Sequence, residues 1–311
     1  MVITPADQRK KPTHSAFLIT FSVSTLTDGH LLLTCNAKPA REQNDNTEGR
    51  FFLPEVGAIY EERFYRYWHR TDQSRTSEKS SLDSYEVHYR QTNLWVRSQG
   101  IFQKEILATV IKSHNEILTY AGREPRFLSA LTPLPFDDTA PPIVKTMLRA
   151  ANEAGVGPMA AVAGAIAERV GKMLMNMSPS DVIVENGGDC FIYSTENVVV
   201  GVYGGKKARL AKPIMVKLHR EQLPISVCTS SSFTGHSLSF GKAHAATVFS
   251  KDGAFADAAA TAIANSLKNP SDIEPVLNRW RSHPKIKAIV AIVEKYIGFY
   301  GDIEITDASN H

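Results

Sequence analysis

The sequence has 311 residues, of which 43% are hydrophobic, and its 35 Lys and Arg against 32 Asp and Glu give a net charge of +3. A chain of this length can bury a sizeable core in one or two domains. The even charge balance gives no reason to expect nucleic acid as a partner, and no stretch approaches the ~20 apolar residues of a membrane-spanning helix. Three scattered cysteines, Cys35, Cys190 and Cys228, argue against a disulfide framework and favour the cytoplasm.

The first fifty residues differ in composition from the rest of the chain. Residues 36–50 are polar and rich in helix and strand breakers, so residues 1–50 are predicted to form a disordered extension. An alternative is export, because the apolar residues 16–26 follow Lys10 and Lys11 as in a signal peptide. The basic flank is long and the apolar run is short for that purpose. Residues 51–311 are predicted to form a single domain.

Residues 60–70 interleave arginines with aromatic residues, a pattern that can stack on the bases of single strands. No strong basic patch accompanies this segment, so nucleic acid is not expected as a partner. Beyond it, Val87 and Tyr89, and then Leu94 and Val96, alternate with polar residues. This period of two predicts two half-buried strands.

Three helices are predicted next. Residues 101–120 carry apolar residues at helical spacing, and two consecutive prolines can start a helix over residues 143–153. Residues 155–171 begin with glycines and contain no charge before Glu168, which predicts a largely buried helix. The free N–H groups at its glycine-rich start could meet a phosphate or a carbonyl group.

A β-hairpin is predicted around the turn Asn186-Gly187-Gly188-Asp189, which separates two apolar runs. The two glycines serve the turn, or they let a flat ligand lie against the backbone. The remaining strands are predicted at residues 197–203, 212–218, 245–249, 286–293 and 302–305.

The alanine-rich residues 253–265 predict a helix with polar residues on one face. Asp257, Thr261 and Asn265 are spaced four apart and share that face, while Phe255, Ala259 and Ile263 form an apolar stripe. One interpretation is an acid near the helix N-terminus and a threonine bonded back to a carbonyl. The other is a Mg²⁺ site, because Asp257 and Thr261 offer two hard oxygens and leave room for phosphate oxygens.

Several standard catalytic motifs are absent from the sequence. It has no Gly-x-Ser-x-Gly elbow, no His-Glu-x-x-His and no phosphate-binding lysine loop. A hydrolase would have to combine Cys228 with His236 across a serine-rich loop. A cysteine that ends a strand is more often a small buried apolar residue.

Five segments then occur in a particular order. They are residues 157–171, the turn 186–189, residues 227–232, His236 and residues 256–262. In this order they resemble the small-residue helix, the Gly-Gly-Asp turn, the Thr-Ser-Gly segment, the histidine and the Ala-Asp-Ala-x-x-Thr-Ala helix of the ApbE family. These are the FAD:protein FMN transferases, and the chain is more similar to the shorter ApbE-related proteins of bacteria and archaea.

The resemblance implies an α+β fold of mixed and antiparallel sheets with packed helices, which binds the small-molecule cofactor FAD. It implies that Asp257 and Thr261 bind Mg²⁺ and that Asp257 acts in catalysis together with His236, which would orient phosphate or assist proton transfer. The alternative for His236 is a structural histidine bonded to a loop carbonyl. A homodimer is one assembly that the sequence allows. The residues expected at the cofactor are Gly157, Gly164, Gly187, Gly188, Asp189, Thr229, Ser230 and His236.

The chain also departs from the family pattern. Val162-Ala163-Gly164 stands where the transferases have Ala-Lys-Gly, and the Asp-Pro expected after the histidine is missing. We therefore expect either a transferase or pyrophosphate-cleaving enzyme that acts on FAD or a related cofactor, or a non-catalytic protein that binds or delivers a flavin or cofactor. An enzyme acting on another flat heterocycle, such as a pterin cofactor, is a further alternative.

Overall fold

The computed structural model describes residues 17–25, 31–39, 82–178, 180–205, 208, 210, 213–232 and 241–306, the first two ranges as backbone. The strands in chain order are β1 Phe17–Thr25, β2 Leu31–Pro39, β3 Asp83–Tyr89, β4 Thr92–Ser98, β5 Val182–Asn186, β6 Asp189–Tyr193, β7 Val198–Val202, β8 Ile214–Leu218, β9 Ile225–Ser230, β10 Ala245–Ser250, β11 Ala288–Val293, β12 Tyr296–Gly301 and β13 Glu304–Thr306. The helices are α1 Gln103–Arg123, α2 Pro142–Ala154, α3 Val162–Met175, α4 Gly253–Ser266 and α5 Ile273–Trp280.

The strands form two sheets. The larger has eight strands in the order β12-β11-β10-β9-β6-β5-β4-β3, and the smaller has five in the order β1-β2-β7-β8-β13. Neighbouring strands pair antiparallel, except that β2 and β7 are parallel. Mixed and antiparallel sheets with separate helices confirm the predicted α+β class.

The eight-stranded sheet separates two apolar cores. On one face, Val184 and Cys228 belong to the core that the helices share. On the other face, Ile183 and Val227 pack in a second core with β7 residues such as Val200. Successive residues of β5 and β9 therefore enter different cores, as the period of two in a strand requires.

The structure contains most of the predicted elements. The strands predicted around Val87 and Val96 are β3 and β4, the three predicted helices are α1, α2 and α3, and the alanine-rich helix is α4. The elements α5, β1, β2 and β12 were not predicted from the sequence, and no range was predicted for β9. Residues 60–70 lie outside the described residues.

The prediction of a disordered extension over residues 1–50 and a single domain over residues 51–311 stays a prediction. Within the first fifty residues the structure contains β1 and β2, which pair along their whole length. In the part of the chain that the structure describes, no helix has the length and apolar character needed to cross a bilayer.

Candidate functional site

The helix α4 places two polar side chains in an otherwise apolar environment. Asp252 caps its N-terminus by accepting a hydrogen bond from the Phe255 N–H at 3.0 Å. The predicted apolar stripe of Phe255, Ala259 and Ile263 is completely buried. Asp257 is half-buried and Thr261 is 5% exposed. Because residues four apart on a helix are neighbours, these two side chains share one face.

The carboxylate of Asp257 lies against the start of α3. Its Oδ2 accepts a hydrogen bond from the backbone N–H of Gly164 at 2.9 Å, in the first turn of that helix. First-turn N–H groups have no partner within their own helix, and the helix dipole favours a negative charge there. Asp257 therefore caps α3 from a different helix, and the N–H of Ala163 also bonds its carboxylate.

Gly164 allows this close approach of α3 and α4. A Cβ atom at this position would lie 2.2 Å from the Gly253 carbonyl oxygen and 2.8 Å from the Asp257 Cβ. No real side chain tolerates such distances. Close packing of α3 on α4 thus explains why a glycine stands at position 164. The predicted contact of Gly164 with a cofactor stays a prediction.

The hairpin of β5 and β6 brings a second acid to the same side of the sheet. Gly187 and Gly188 have φ values of +62° and +118°, which glycine adopts at little cost. The Gly188 N–H donates to Glu185 Oε1 at 3.0 Å, and Asp189 pairs directly with Asn186 across the turn. The predicted glycine turn is therefore confirmed, with Asp189 at its end.

The strand β9 runs beside this acid. Asp189 pairs with Cys228, and the strand alternation places Cys228 and Ser230 on the helix-facing side. Thr229 points to the opposite face, where its Oγ1 lies 2.9 Å from Thr247 Oγ1. Ser230 is thus on the same face as Asp189, whereas Thr229 is not.

Two buried polar atoms on the helix-facing side of the sheet have no partner in the described part of the chain. Asp189 and Ser230 are each 6% exposed, and neither Asp189 Oδ1 nor Ser230 Oγ makes a hydrogen bond among the residues described. Buried polar atoms in native proteins are almost always satisfied, by protein, water or ligand. Asp189 Oδ1 and Ser230 Oγ are therefore available to water, to a ligand or to another part of the protein.

Burial also changes the acidity of the two aspartates. Burial raises the pKa of Asp189 to about 7, although the Cys228 thiol and the Thr229 N–H oppose the increase. Burial raises the pKa of Asp257 well above its usual range, and the charge of Asp189 adds to the increase, while the N–H groups of Gly164 and Ala163 oppose it. Burial and their mutual repulsion therefore favour the protonated form of both groups.

The described residues offer few ligands for a cation. No group of three or more His, Cys, Asp or Glu side chains within the described ranges is arranged to hold a metal ion. Mg²⁺ usually retains waters and binds one or two carboxylates together with substrate phosphates. Asp257 and Thr261 suit that kind of site, and Asp189 adds a second carboxyl group nearby.

The structure disfavours Cys228 as a nucleophile. The residue is completely buried, and its Sγ lies 3.6 Å from the Gly253 carbonyl oxygen. Burial raises the pKa of the Cys228 thiol well above its usual range, and the charge of Asp189 acts in the same direction. A thiol that stays protonated cannot attack a substrate.

The remaining predicted residues lie apart from this cluster or outside the description. His236, predicted to act in catalysis and cofactor binding, lies outside the described residues. Gly157 packs against the backbone of another segment, because a Cβ atom there would lie 1.7 Å from the Ala130 carbonyl oxygen. The sequence analysis missed the contribution of Asn186, whose Nδ2 donates to the Ala163 carbonyl oxygen at 3.1 Å. An amide side chain just before a glycine turn was the available signal.

Two surface cavities lie away from Asp257. One of about 640 Å³ adjoins α1, with Ile111 and Lys112 in its wall. The other, of about 670 Å³, lies among the C-terminal ends of α2, α4 and α5 and includes Asn265 and Trp280. Asn265 therefore lines a cavity whose wall does not include Asp257, Asp189 or Ser230.

The sequence matches the model of a protein family described as AbpE bacteria over residues 74–282. The chain belongs to this family. The match confirms the resemblance to ApbE-like proteins that the five ordered segments predict. A UPF0280 protein of Methanocaldococcus jannaschii is 37% identical over 223 residues, which cover 69% of this chain and 88% of that protein. A UPF0280 protein of Methanosarcina barkeri is 33% identical over 216 residues, or 69% of this chain and 85% of that one.

Among solved structures, this AbpE-family chain is similar to the flavinyl transferase ApbE of Pseudomonas stutzeri in its apo form. The TM-score is 0.46 at 13% identity, over 73% of this chain and 95% of that chain. The flavin transferase ApbE of Vibrio cholerae gives a TM-score of 0.42 at 11% identity, over 73% and 98% of the respective chains.

Proposed function

We propose that this protein binds FAD or a related cofactor together with Mg²⁺, and that it is a transferase or a pyrophosphate-cleaving enzyme acting on that cofactor. The observation that carries the proposal is the arrangement around Asp257. Its carboxylate caps α3 within reach of the charge of Asp189. Among the described residues, Asp189 Oδ1 and, on the same face of the sheet, Ser230 Oγ are buried without a hydrogen-bond partner. Membership in the ApbE-like family supports a flavin as the ligand.

When bound, Mg²⁺ would neutralise pyrophosphate charge as a phosphate bond breaks. Asp257 and Thr261 would hold the cation, and the first turn of α3 fixes the direction of the Asp257 carboxylate. Asp189 would orient the ligand through its buried Oδ1. At Gly187 a Cβ atom would meet no other atom within 4 Å, so the turn leaves open space beside its backbone.

The proposal is tested by titrating the full chain with FAD and MgCl₂ in a calorimeter and by assaying AMP release with mass spectrometry. Replacing Asp257 with Ala should abolish metal-dependent turnover and weaken Mg²⁺ binding by at least about tenfold, because one of few protein ligands is lost. Asp138→Asn is the matched control, since Asp138 is exposed and distant in sequence from the site. A wild-type chain that binds neither FAD nor Mg²⁺ contradicts the proposal.

A second candidate is a cofactor-binding or delivery protein without transfer chemistry. The observation that favours it is Ala163, which stands where the transferases of the family carry a lysine. Under this alternative the chain binds FAD and Mg²⁺ but returns the FAD unchanged after incubation with candidate acceptors. Release of AMP would exclude it.

A further inference from the structure

Asn186 connects the hairpin to the start of α3. It is the last residue of β5, is 6% exposed and pairs with Asp189 across the turn. Its side-chain Nδ2 donates to the carbonyl oxygen of Ala163 at 3.1 Å. The backbone of Asn186 thus pairs with Asp189, and its side chain contacts the start of α3, which binds Asp257.

One peptide group joins Asn186 to Asp257. The bond between Ala163 and Gly164 carries both the carbonyl oxygen that accepts from Asn186 and the N–H that donates to Asp257 Oδ2 at 2.9 Å. A peptide group is rigid and planar, so fixing its oxygen also fixes the direction of its N–H. Hydrogen bonds at both ends of one amide also strengthen each other.

Apolar packing holds the hairpin on α3 at a different place. Phe191 of β6 lies against Gly171, where a Cβ atom would come within 2.0 Å of the phenylalanine ring. Phe191 is buried and lies on the helix-facing side of the sheet. Loss of the Asn186 side chain should therefore shift the turn end of the hairpin without detaching it from α3.

We propose that Asn186 is a positioning residue that sets the Asp257 carboxylate relative to Asp189 through the Ala163–Gly164 peptide group. The effect on the cation rests on the proposed function. The coupling between Asn186 and Asp257 does not, because both hydrogen bonds exist without a ligand.

The coupling is tested by a double-mutant cycle on the full chain without ligand. Asn186→Ala, Asp257→Ala and the double variant are unfolded in urea and compared with the wild type. Residues in one hydrogen-bond network are not additive, so we expect the effects on the unfolding equilibrium constant to differ from additivity by about fivefold or more. If Asn186→Ala does not fold, Asn186→Ser is used in the same cycle.

Asn152 supplies the matched control cycle. Its Nδ2 also donates to backbone carbonyl oxygens, those of Leu134 and Leu148, each at 2.8 Å. Asn152→Ala and Asp257→Ala should be additive, because they share no partner. An additive Asn186 cycle, or equal coupling in the two cycles, would overturn the inference.

A Mg²⁺ titration then tests the positioning role. We expect Asn186→Ser to raise the Mg²⁺ dissociation constant about tenfold, the usual effect of a residue that orients a metal ligand, while Asn152→Ala leaves it unchanged. If the wild type binds no Mg²⁺, the proposed function fails and the double-mutant cycle alone decides the inference. If the wild type binds Mg²⁺ and Asn186→Ser binds it equally well, the positioning role is wrong.

Discussion

Asp257 of α4 accepts a hydrogen bond from the backbone N–H of Gly164 in the first turn of α3, at 2.9 Å. The contact joins two segments 93 residues apart in the chain. It gives the acid a structural role as an interhelical cap and fixes the direction of its carboxylate. This structural role and the proposed cation site are compatible.

Gly164→Ala should destabilise the chain by about 2 kcal/mol or more, because overpacking costs about 1–3 kcal/mol and here the added Cβ meets backbone. The nearest atom would be the Gly253 carbonyl oxygen, at 2.2 Å. Urea unfolding measures the effect.

Gly122→Ala is the control for that substitution. Gly122 lies in α1, where a Cβ atom would meet nothing within 4 Å. Since alanine is the better helix former by about 1 kcal/mol, this variant should be more stable than the wild type. Equal effects of the two substitutions would contradict the close helix contact.

Gly187 and Gly188, the two turn glycines, should differ in the side chains that can replace them. Gly188→Ala should lower the free energy of unfolding by about 1–2 kcal/mol, because a φ of +118° is strained for any side chain. Gly187→Asn should cost less, since Gly187 has a φ of +62° and asparagine tolerates that region. Thermal unfolding of both variants checks the order, and a less stable Gly187→Asn would refute it.

Glu185 should make stability fall as the pH rises. Burial raises the pKa of Glu185 to about 8, although a hydrogen bond from the Gly188 N–H opposes the increase. Between its unfolded pKa of about 4.3 and its folded pKa, the unfolded state has lost a proton that the folded state keeps, so the free energy of unfolding decreases with pH. The decrease is at most about 5 kcal/mol, at about 1.36 kcal/mol per unit of pKa difference, and it ends above pH 8.

Glu185→Gln should remove this part of the pH dependence, so that the variant loses less stability than the wild type between pH 5 and pH 8. Urea unfolding at both pH values gives the comparison. Asp138→Asn, at an exposed position, should keep the wild-type slope. A wild-type slope retained in Glu185→Gln would show that this carboxyl group is not protonated in the folded chain.

Cys228 should be unreactive in the folded chain, because it is completely buried and its thiol is held protonated. Alkylation at pH 8 followed by peptide mass spectrometry should find Cys228 unmodified until urea is added. Cys228→Ala should keep any cofactor turnover. Rapid alkylation, or loss of turnover with an intact fold, would restore the hydrolase interpretation.

Local patterns predicted most of the fold. The period of two around Val87, the glycine turn at Gly187 and the alanine-rich run of α4 each carry a short-range signal that the tertiary structure preserves. The missed strand β12 has a mixed pattern with exposed aromatic residues, as an edge strand allows.

The site was less predictable than the fold. The spacing of Asp257 and Thr261 in one helix indicated their shared face, but the contacts with Gly164 and Asn186 come from distant parts of the chain. Spacing within one element cannot specify such partners. The packing role of Gly164 was likewise invisible without its neighbour in α4.

The central claim is that Asp257 and Thr261 hold a divalent cation beside a bound cofactor. The most direct measurement is a crystal structure of the chain grown with FAD and Mn²⁺, whose anomalous scattering locates the metal. The account predicts an anomalous peak within about 2.0–2.6 Å of an Asp257 carboxylate oxygen and of Thr261 Oγ1, the range that spans Mg²⁺ and Ca²⁺ bonds to oxygen. Cofactor bound with no peak at these two side chains, or a peak held by other residues, would contradict it.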